Sequence, residues 1–496
     1  MSLIPETAAP PAKSRWPRLS PAQMYERFMA SDASFDGRFF SGVLSTGIYC
    51  LPSCRARKPL RRNIRFFATT EEARAAGLRP CRKCHPDDYA RGADPVLETV
   101  EALVAEVRAN PGAFANAAAI VRRSGFGATR LFELFRQHYH STPADLLLRA
   151  RLAEVKRRLL AGNGGLSTLA HEAGFESLSA LHENFRRLNG LTPAAYRALK
   201  KGRAFEITLP GDFHMGYLRR ALSRDPHSAS ERFENDIYIS AVLLAGAPAM
   251  LELRLAPGTV HVSVDSAGDA ADSLLPAAHA MVAGILGLDQ DTAAFARLAK
   301  RLGLSRLVAG RAGMRISLAH SAFEGLLWAI IGQQINFPFA CLLKSRLAKL
   351  AGKRMPGGLY APPSPAAIAA LAPKDLLPLQ FSRQKADYII AAARLIAEGR
   401  LDIEALRVMS ATRAGRTLLE LHGLGPWSVN YVMMRALGFA DCVPLGDTGV
   451  ASGLQALLKL EERLDIDATR RLTSVFSPWR SLATAHLWQF NKPVPL

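Results

Sequence analysis

The sequence predicts a multidomain protein that is mainly α-helical and that includes two smaller modules containing β-strands. Its 496 residues are enough for three or four domains that each bury a core. Four of the six cysteines lie in one N-terminal region, a helical region repeats internally, and β-branched segments interrupt the helical pattern after residue 203. We therefore predict a disordered N-terminus followed by four modules, at residues 1–20, 21–92, 96–200, 204–310 and 311–496.

The charge distribution points to a polyanionic partner. The net charge is +20, and residues 1–95 and 96–203 each contribute +7. Such a concentrated basic excess is typical of nucleic-acid binding, although a general arginine-rich bias would also produce it. The chain shows no secretory leader and no apolar run long enough to span a bilayer, and six cysteines are too few for a disulfide scaffold. We expect a cytoplasmic protein.

The N-terminal cysteines have the spacing of a zinc site. Cys50 and Cys54 are separated by three residues, Cys81 and Cys84 by two, and 26 residues lie between the pairs. Two close pairs joined by one loop suit a tetrahedral Zn²⁺ with four thiolate ligands. The spacing alone is equally compatible with a purely structural zinc.

The residues around these cysteines carry a more specific signal. The segments "TGIYCLPSCRAR" and "RPCRKC" closely resemble the N-terminal domain of the adaptive-response regulator family, Ada, over residues 24–89. The resemblance implies that Cys50 is both a zinc ligand and the acceptor of a methyl group from a DNA methylphosphotriester. The nearby basic side chains would then hold DNA phosphates: Arg55, Arg57, Lys58, Arg61, Arg62 and Arg65.

The next module contains two similar helical repeats. Phe135-Arg136 and Thr142-Pro143 recur 50 residues later as Phe185-Arg186 and Thr192-Pro193. Each copy places two helices around a glycine turn, as in a helix-turn-helix, and ends before a Thr-Pro stop. The second copy, "GFESLSALHENFRRLNGLTPAAYR", resembles the DNA-binding half of AraC-type regulators. Candidate DNA contacts on the second helices are Thr129, Arg130, Arg136, Ser177, Ser179, Ala180, His182 and Arg186.

The C-terminal half combines a strand-rich module with a helical one. "FEITLP", "AVLLAG" and "MLELRLAPGTVHVSV" predict strands, and the chain turns helical again from about Gly313. In "LHGLGPWSVNYVMMRALG" a turn with Gly423 and Gly425 opens a helix, where free backbone N–H groups suit a phosphate. Asp447 follows Trp427 by 20 residues and, taken alone, would most simply cap a helix.

Together these segments resemble helix-hairpin-helix DNA glycosylases of the 3-methyladenine glycosylase II type, over residues 204–496. The resemblance implies that Asp447 is the catalytic carboxylate and that Trp427, Tyr431 and Trp488 line the base pocket. Gln333 and Gln334 would probe the gap left by a flipped base. Trp427 replaces the lysine of lyase-competent relatives, which implies a monofunctional enzyme.

Three positions depart from the pattern of that family. Thr448 stands where a pocket tyrosine is expected, Gly446 replaces a second acid, and Gln334 replaces an apolar wedge. These departures affect the shape of the base pocket and so the choice of base, but they leave the Asp447 carboxylate in place.

The O6-methylguanine methyltransferase motif of Ada regulators, Pro-Cys-His-Arg, is missing from the chain, and Cys341 and Cys442 are predicted core residues.

These interpretations predict a bifunctional alkylation-response protein. It would accept methyl groups on Cys50 to activate transcription, and it would hydrolyse the N-glycosidic bond of alkylated purines. The expected cofactor is one Zn²⁺ without an organic group, and the expected partners are double-stranded DNA and RNA polymerase. Two alternatives remain open: a regulator whose glycosylase module binds DNA without catalysis, and a glycosylase with a structural zinc tag.

Overall fold

The computed structural model describes residues 19–91, 94–162, 164–266 and 274–495 of the chain. Two compact units are present, one ending at Ala102 and the other beginning at Leu103. The predicted mainly helical, multidomain architecture is confirmed. The disorder predicted for residues 1–20 falls largely on residues 1–18, which lie outside the described residues.

The first unit is built around a four-stranded sheet in the order β3-β1-β2-β4. β2 and β4 pair in parallel and the other neighbours are antiparallel. Phe28 and Phe39 pack against the cysteines to form a small core. The elements are α1 (Pro21–Met29), β1 (Phe40–Val43), β2 (Ile48–Cys50), β3 (Ile64–Phe67), α2 (Thr70–Ala75), β4 (Arg79–Pro80) and α3 (Pro86–Ala90).

The second unit begins with the predicted pair of helix-turn-helix repeats, which the structure confirms. Gly125, with φ +72°, ends α5, and the left-handed Gly174 separates α8 from α9. Thr142-Pro143 does not stop a helix but begins one, because the Thr142 hydroxyl accepts the Asp145 amide and caps α7. The helices are α4 (Pro95–Ala109), α5 (Ala117–Ser124), α6 (Ala128–Tyr139), α7 (Pro143–Ala161), α8 (Leu166–Glu172), α9 (Leu178–Asn189) and α10 (Pro193–Ala198).

A five-stranded antiparallel sheet follows, in the order β5-β9-β8-β7-β6. Alternate residues of β8 (Leu251, Leu253 and Leu255) are buried, as expected for a strand with one covered face. Strand β6 was not predicted from the sequence, because its segment Glu-Arg-Phe-Glu is mostly charged. The elements are β5 (Ala204–Thr208), α11 (Met215–Leu222), β6 (Glu231–Glu234), β7 (Ile237–Leu244), β8 (Ala247–Ala256), β9 (Thr259–Ser266), α12 (Leu275–Leu286) and α13 (Thr292–Arg301).

The remainder is almost entirely helical and packs around one large hydrophobic cluster. None of the described helices is long and apolar enough to cross a membrane. The elements are α14 (Ala322–Ile331), α15 (Phe337–Ala351), β10 (Lys353–Arg354), β11 (Tyr360–Ala361), α16 (Pro365–Ala369), α17 (Pro373–Leu376), α18 (Arg383–Ala397), α19 (Ala411–Glu420), α20 (Pro426–Arg435), α21 (Thr448–Leu458), α22 (Ile466–Ser474) and α23 (Arg480–Phe490).

The second helix-turn-helix repeat and the five-stranded sheet share one hydrophobic core. Phe185 of α9 and Val242 of β7, both fully buried, belong to the same cluster. The Thr208 amide of β5 donates to the Gly190 carbonyl at the end of α9 (2.9 Å). The predicted module boundary at residues 200–204 therefore lies inside a continuous core, which we call the shared core.

The first repeat contacts the C-terminal helices. α6 packs against α19, and His138 Nδ1 lies 2.8 Å from Thr412 Oγ1. Two residues further along the chain, the Asp441 amide donates to His140 Nδ1 (3.1 Å), and the His140 ring meets Phe439 edge-on. The helix-turn-helix region is thus joined to the rest of its unit along both repeats.

His279 makes the shared core sensitive to acid. This fully buried side chain of α12 donates from Nε2 to the Asn189 carbonyl (2.8 Å), while Nδ1 has no described partner. Burial, with a smaller effect of Lys156, lowers the pKa of His279 to about 4. In the unfolded chain His279 binds a proton near its ordinary pKa. The contribution of the neutral, buried His279 to the unfolding free energy is therefore complete above pH 6.5 and is lost as the pH falls towards 4.

We therefore expect the second unit to lose about 2 kcal/mol of unfolding free energy through His279 between pH 7 and pH 5. Urea titrations at the two pH values measure the loss. His279→Leu should be less stable at pH 7 but should show a shallower pH dependence. An unchanged slope in this variant would contradict the assignment.

Candidate functional site

The four N-terminal cysteines form one cluster because of the sheet pairing. Cys50 ends β2 and Cys81 follows β4, and the parallel pairing of these strands brings their carboxyl ends together. Cys54 and Cys84 lie in the turns that follow. The four sulfur atoms lie within 4.8 Å of one another. Tetrahedral zinc–thiolate ligands are about 3.8 Å apart, so the donor set fits one Zn²⁺, and the chain has a four-cysteine zinc site.

The four sulfurs differ in their backbone hydrogen bonds. The Leu51 amide donates to Cys84 Sγ (3.3 Å), the Lys83 amide to Cys81 Sγ (3.4 Å), and the Ala56 amide bonds Cys54. Within residues 19–91, no backbone N–H donates to Cys50 Sγ. Cys50 is 4% exposed, whereas Cys84 is half-buried.

The basic side chains near this cluster fall into two groups. Arg55, Arg57, Arg61, Arg62 and Arg65 are exposed. Lys58 is instead engaged within the fold. Its ammonium donates to the carbonyls of Cys54 (2.7 Å) and Phe28 and lies over the Phe28 ring. The arginines are therefore better placed than Lys58 for a phosphate contact.

Both helix-turn-helix repeats keep one face of their second helix exposed. Arg130 and Arg136 of α6 and Arg186 of α9 are exposed, with Arg130 in a weak ion pair to Glu133 (3.4 Å). Among the other candidates, Thr129, Ser177 and Ser179 are exposed, whereas Ala180 and His182 are half-buried. The buried residues of α6 and α9 are mainly the apolar side chains of Leu131, Leu134, Phe135, Leu181 and Phe185.

Asp447 caps a helix and also lies among aromatic side chains. Its Oδ1 accepts the Val450 amide at the start of α21 (3.0 Å) and the Trp488 indole N–H (2.9 Å). Its Oδ2 accepts the Trp427 indole N–H (3.2 Å). Both oxygens act as acceptors, as in an ionised carboxylate. Two indoles thus orient the group.

The predicted pocket aromatics form one stack beside this carboxylate. Trp427 stacks on Tyr431 with ring centroids 5.3 Å apart, and Tyr431 packs against Trp488 at 6.1 Å. Thr448, the first residue of α21, is exposed. The preceding Gly446 has φ +89°, a left-handed conformation that favours glycine over the acid expected there.

The hairpin residues are held together by one glutamine. Gln333 donates from Nε2 to the Gly423 carbonyl (2.9 Å) and to Ser428 Oγ (3.1 Å). Gln334 is exposed with φ +56°, and Gly425 caps α20 with open space around it. A Cβ on Gly423 would lie 2.1 Å from Tyr388, so only glycine fits. The structure therefore places Gln334, not Gln333, at the surface.

Sequence reasoning missed Trp328 and Ser428. The Trp328 indole donates to the Tyr431 hydroxyl (3.0 Å) and extends the aromatic group, and Ser428 anchors Gln333. Ser428 lies inside the segment "LHGLGPWSVNYVMMRALG" quoted above, and Trp328 lies five residues before Gln333. An aromatic in the otherwise aliphatic run "LLWAII" was the available signal for Trp328.

Three family models match the chain at separate segments. They are the metal-binding domain of Ada at residues 23–87, a helix-turn-helix domain at residues 120–199, and the HhH-GPD superfamily of base excision DNA repair proteins at residues 327–478. The first contains all four cysteines, the second covers the helix-turn-helix repeats from Ile120 onwards, and the third contains Asp447.

Similar proteins cover either nearly the whole chain or one part of it. A Mycobacterium tuberculosis protein, "Probable bifunctional transcriptional activator/DNA repair enzyme AlkA", is 28% identical over 94% of this chain and 95% of its own length. A "DNA-3-methyladenine glycosylase" of Bacillus subtilis is 29% identical over 57% of this chain and 95% of its own. "Regulatory protein ada" of Salmonella typhimurium is 33% identical over 34% of this chain and 47% of its own.

A solved structure shows the same fold in the C-terminal half. The 3-methyladenine DNA-glycosylase from Archaeoglobus fulgidus aligns with 58% of this chain and 99% of its own, at 21% identity and a TM-score of 0.51. The chain therefore joins an Ada-type metal-binding domain, a helix-turn-helix domain and an HhH-GPD superfamily DNA repair domain in one polypeptide.

Proposed function

We propose that the chain both excises alkylated purines from DNA and senses DNA methylation to activate transcription. The observation that carries the excision half is the Asp447 carboxylate, which is held by two indoles beside an aromatic stack. The relative that spans the chain is named a probable bifunctional transcriptional activator and DNA repair enzyme, which supports the pairing of a regulatory and a repair function.

In base excision, the aromatic side chains bind the flipped base, and the carboxylate stabilises the positive charge that develops on the sugar. A flipped alkylpurine is electron-poor and is favoured against the rings of Trp427, Tyr431 and Trp488. As the bond between the base and the anomeric carbon breaks, the sugar develops positive charge, which Asp447 stabilises across a short distance. Water then adds to the anomeric carbon. With Trp427 in place of a lysine, no Schiff base forms, and the product is an intact abasic strand.

In methyl sensing, the sulfur of Cys50 acts as the nucleophile. Bound zinc would keep the four thiols ionised. The thiolate sulfur of Cys50 attacks the methyl carbon, the bond from that carbon to the phosphotriester oxygen breaks, and a phosphodiester anion leaves. A stable thioether remains, so each molecule reacts once. The absence of a backbone N–H to Cys50 Sγ within residues 19–91 supports this choice, because a hydrogen-bonded thiolate is a weaker nucleophile.

Methyl transfer changes the charge that faces DNA. Four thiolates and one Zn²⁺ carry a formal charge of −2, and methylation of one sulfur reduces this to −1. Repulsion of phosphate falls, so the exposed arginines from Arg55 to Arg65 hold DNA more tightly. We propose that the methylated protein then recruits RNA polymerase in the cytoplasm through the promoter-bound helix-turn-helix repeats.

The test of this assignment is which cysteine gains the methyl group. After incubation with methylphosphotriester-containing DNA, we expect the peptide with Cys50 to gain the mass of one CH₂ group. Exposure alone would favour Cys84, whereas the hydrogen-bond pattern favours Cys50. Peptide mass spectrometry distinguishes them, and a Cys341→Ala variant should be methylated as the wild type is. Methylation of Cys84 instead of Cys50 would contradict the mechanism.

A further inference from the structure

A cavity of about 1120 Å³ lies in the second unit, where the second helix-turn-helix repeat, the five-stranded sheet and the C-terminal helices meet. We call it the junction cavity. Its walls come from α7, α12, the turn between β7 and β8, the segment before α14 and the end of α18. Its described lining contains neither Asp447 nor any of the aromatic side chains that stack beside that carboxylate. The junction cavity is therefore separate from the proposed site of base excision.

The walls of the junction cavity are mainly apolar. α7 and α12 each present one helix face to it, with residues at the i, i+3, i+4, i+7 spacing. On α7 this face runs from Arg149 to Lys156, and on α12 it runs from Ala277 to Gly284. The α12 face consists mostly of alanine and glycine, which leaves space, and side chains such as Leu243 and Ile403 supply further apolar surface. The volume lies slightly above the roughly 300–1,000 Å³ of typical ligand pockets, so the cavity admits an organic ligand with an apolar body.

Nearly all ionisable side chains of this lining have a partner within the fold. The ion pairs are Arg149 with Asp289 (2.9 Å), Arg407 with Glu404 (2.7 Å) and His320 with Glu324 (3.7 Å). The remaining carboxylate, Asp402, accepts the Ala405 amide (3.0 Å). These groups compensate one another and offer no free charge to a ligand.

Lys156 is the exception among the charged side chains of the lining. It is half-buried, yet no residue that the structure describes accepts a hydrogen bond from its ammonium or forms an ion pair with it. The ammonium lies 5.4 Å from the centroid of the Tyr196 ring, which is a weak interaction. Burial lowers the pKa of Lys156 to about 8, and the two charges that act on it, Asp289 and Arg149, are paired with each other. At pH 7 the junction cavity therefore holds an ammonium ion that the fold leaves without an anion.

We propose that the junction cavity binds a monocarboxylate with an apolar body, whose carboxylate pairs with the ammonium of Lys156. One uncompensated cation selects one negative charge, and apolar walls select a hydrocarbon body. A nucleotide or a phosphate ester carries more negative charge than one ammonium balances. The inference goes beyond base excision and methyl sensing, and it depends on neither.

Such a ligand would also stabilise the second unit. The helix faces that line the junction cavity come together only in the folded chain, so the ligand binds the folded state and not the unfolded state. Binding of this kind raises the thermal midpoint in proportion to the occupancy of the site.

The test measures the binding of decanoate to the full chain at pH 7 by isothermal titration calorimetry. We expect saturable, one-to-one binding and a thermal midpoint that rises with the decanoate concentration. Two ligands with the same hydrocarbon chain serve as controls: 1-decanol, which is uncharged, and decyltrimethylammonium, which is positively charged. Both should bind about 10- to 100-fold more weakly than decanoate, because neither offers an anion to Lys156.

Lys156→Met keeps the unbranched side chain but removes its charge. This variant should bind decanoate about 10- to 100-fold more weakly than the wild type, whereas its affinity for 1-decanol should not change. Without a ligand the variant should be at least as stable as the wild type, because an unpaired ammonium is costly to bury. Lys300→Met is the matched control, since it removes the same charge from an exposed position of α13 outside the cavity.

A second variant tests the position of the hydrocarbon body. Ala280 is exposed and lines the junction cavity on α12, so the ring of Ala280→Phe should occupy part of the cavity and weaken the binding of both decanoate and 1-decanol. Unchanged binding in this variant would place the ligand elsewhere on the chain and overturn the proposal.

Four other results would also overturn it. The wild type could show no saturable binding of decanoate, or it could bind decyltrimethylammonium more tightly than decanoate. Lys156→Met could bind decanoate as tightly as the wild type does. Equal losses in Lys156→Met and Lys300→Met would show a general effect of net charge rather than a site at Lys156.

Discussion

Asp447→Asn should lower the rate of 3-methyladenine release by about 10³-fold, or about 4 kcal/mol of transition-state stabilisation. Asparagine caps a helix as well as aspartate does, so α21 should remain folded. The neutral amide, however, cannot stabilise the positive sugar. Its Nδ2 would also face an indole N–H, which removes one of the two tryptophan hydrogen bonds. Single-turnover release from alkylated duplex DNA measures the effect.

The matched control for this variant is Asp291→Asn. Asp291 caps α13 in the same way, since its Oδ1 accepts the Ala294 amide (2.8 Å), but it is remote in sequence from the aromatic stack. We expect wild-type release from this control. If Asp447→Asn retains base release, another group performs the chemistry, and the proposed mechanism is wrong.

Gly190→Val should destabilise the second unit by about 2–5 kcal/mol. Gly190 has φ +65°, and a Cβ there would lie 2.5 Å from Ile207 and 3.0 Å from the Thr208 carbonyl oxygen. The new side chain therefore strains the end of α9 and pushes β5 away from it. Because the two elements share one core, promoter DNA binding and base release should fall together with the thermal midpoint.

Gly258→Val separates the two causes of destabilisation, backbone strain at a positive φ and steric overlap with neighbouring atoms. Gly258 also has a positive φ (+75°), but no atom lies within 4 Å of its ideal Cβ position. This control should lose only the stability that backbone strain removes, about 1–2 kcal/mol. A Gly190→Val protein that loses promoter binding and keeps normal base release and stability would show that the shared core is not a cooperative unit.

The motifs could be predicted from sequence because each is local. The cysteine spacing and the repeated helix-turn-helix pattern predicted elements that the structure confirms. The zinc cluster was predictable because two short loops supply all four ligands. Strands β7, β8 and β9 were predictable from their alternation, whereas the charged β6 was not.

Contacts between distant segments could not be predicted in the same way. Nothing in the spacing of Trp427 and Trp488 showed that both indoles bond one carboxylate, because their meeting depends on where the fold places α20 and α23 relative to the start of α21. Lys58 resembles its arginine neighbours in sequence, yet its engagement with Cys54 and Phe28 appears only in the fold. The boundary at residues 200–204 followed a change of composition, which gives no information about what packs across it.

The shared core also means that each molecule keeps or loses promoter recognition and base excision together. With no independent hinge at residues 200–204, a protease or chaperone that acts on the unfolded second unit removes promoter recognition and excision together. A cell would therefore hold these two activities at a constant ratio of one to one, whatever its rate of protein turnover. In the mechanism proposed above, a molecule whose Cys50 has been methylated would still carry a complete, reusable repair site.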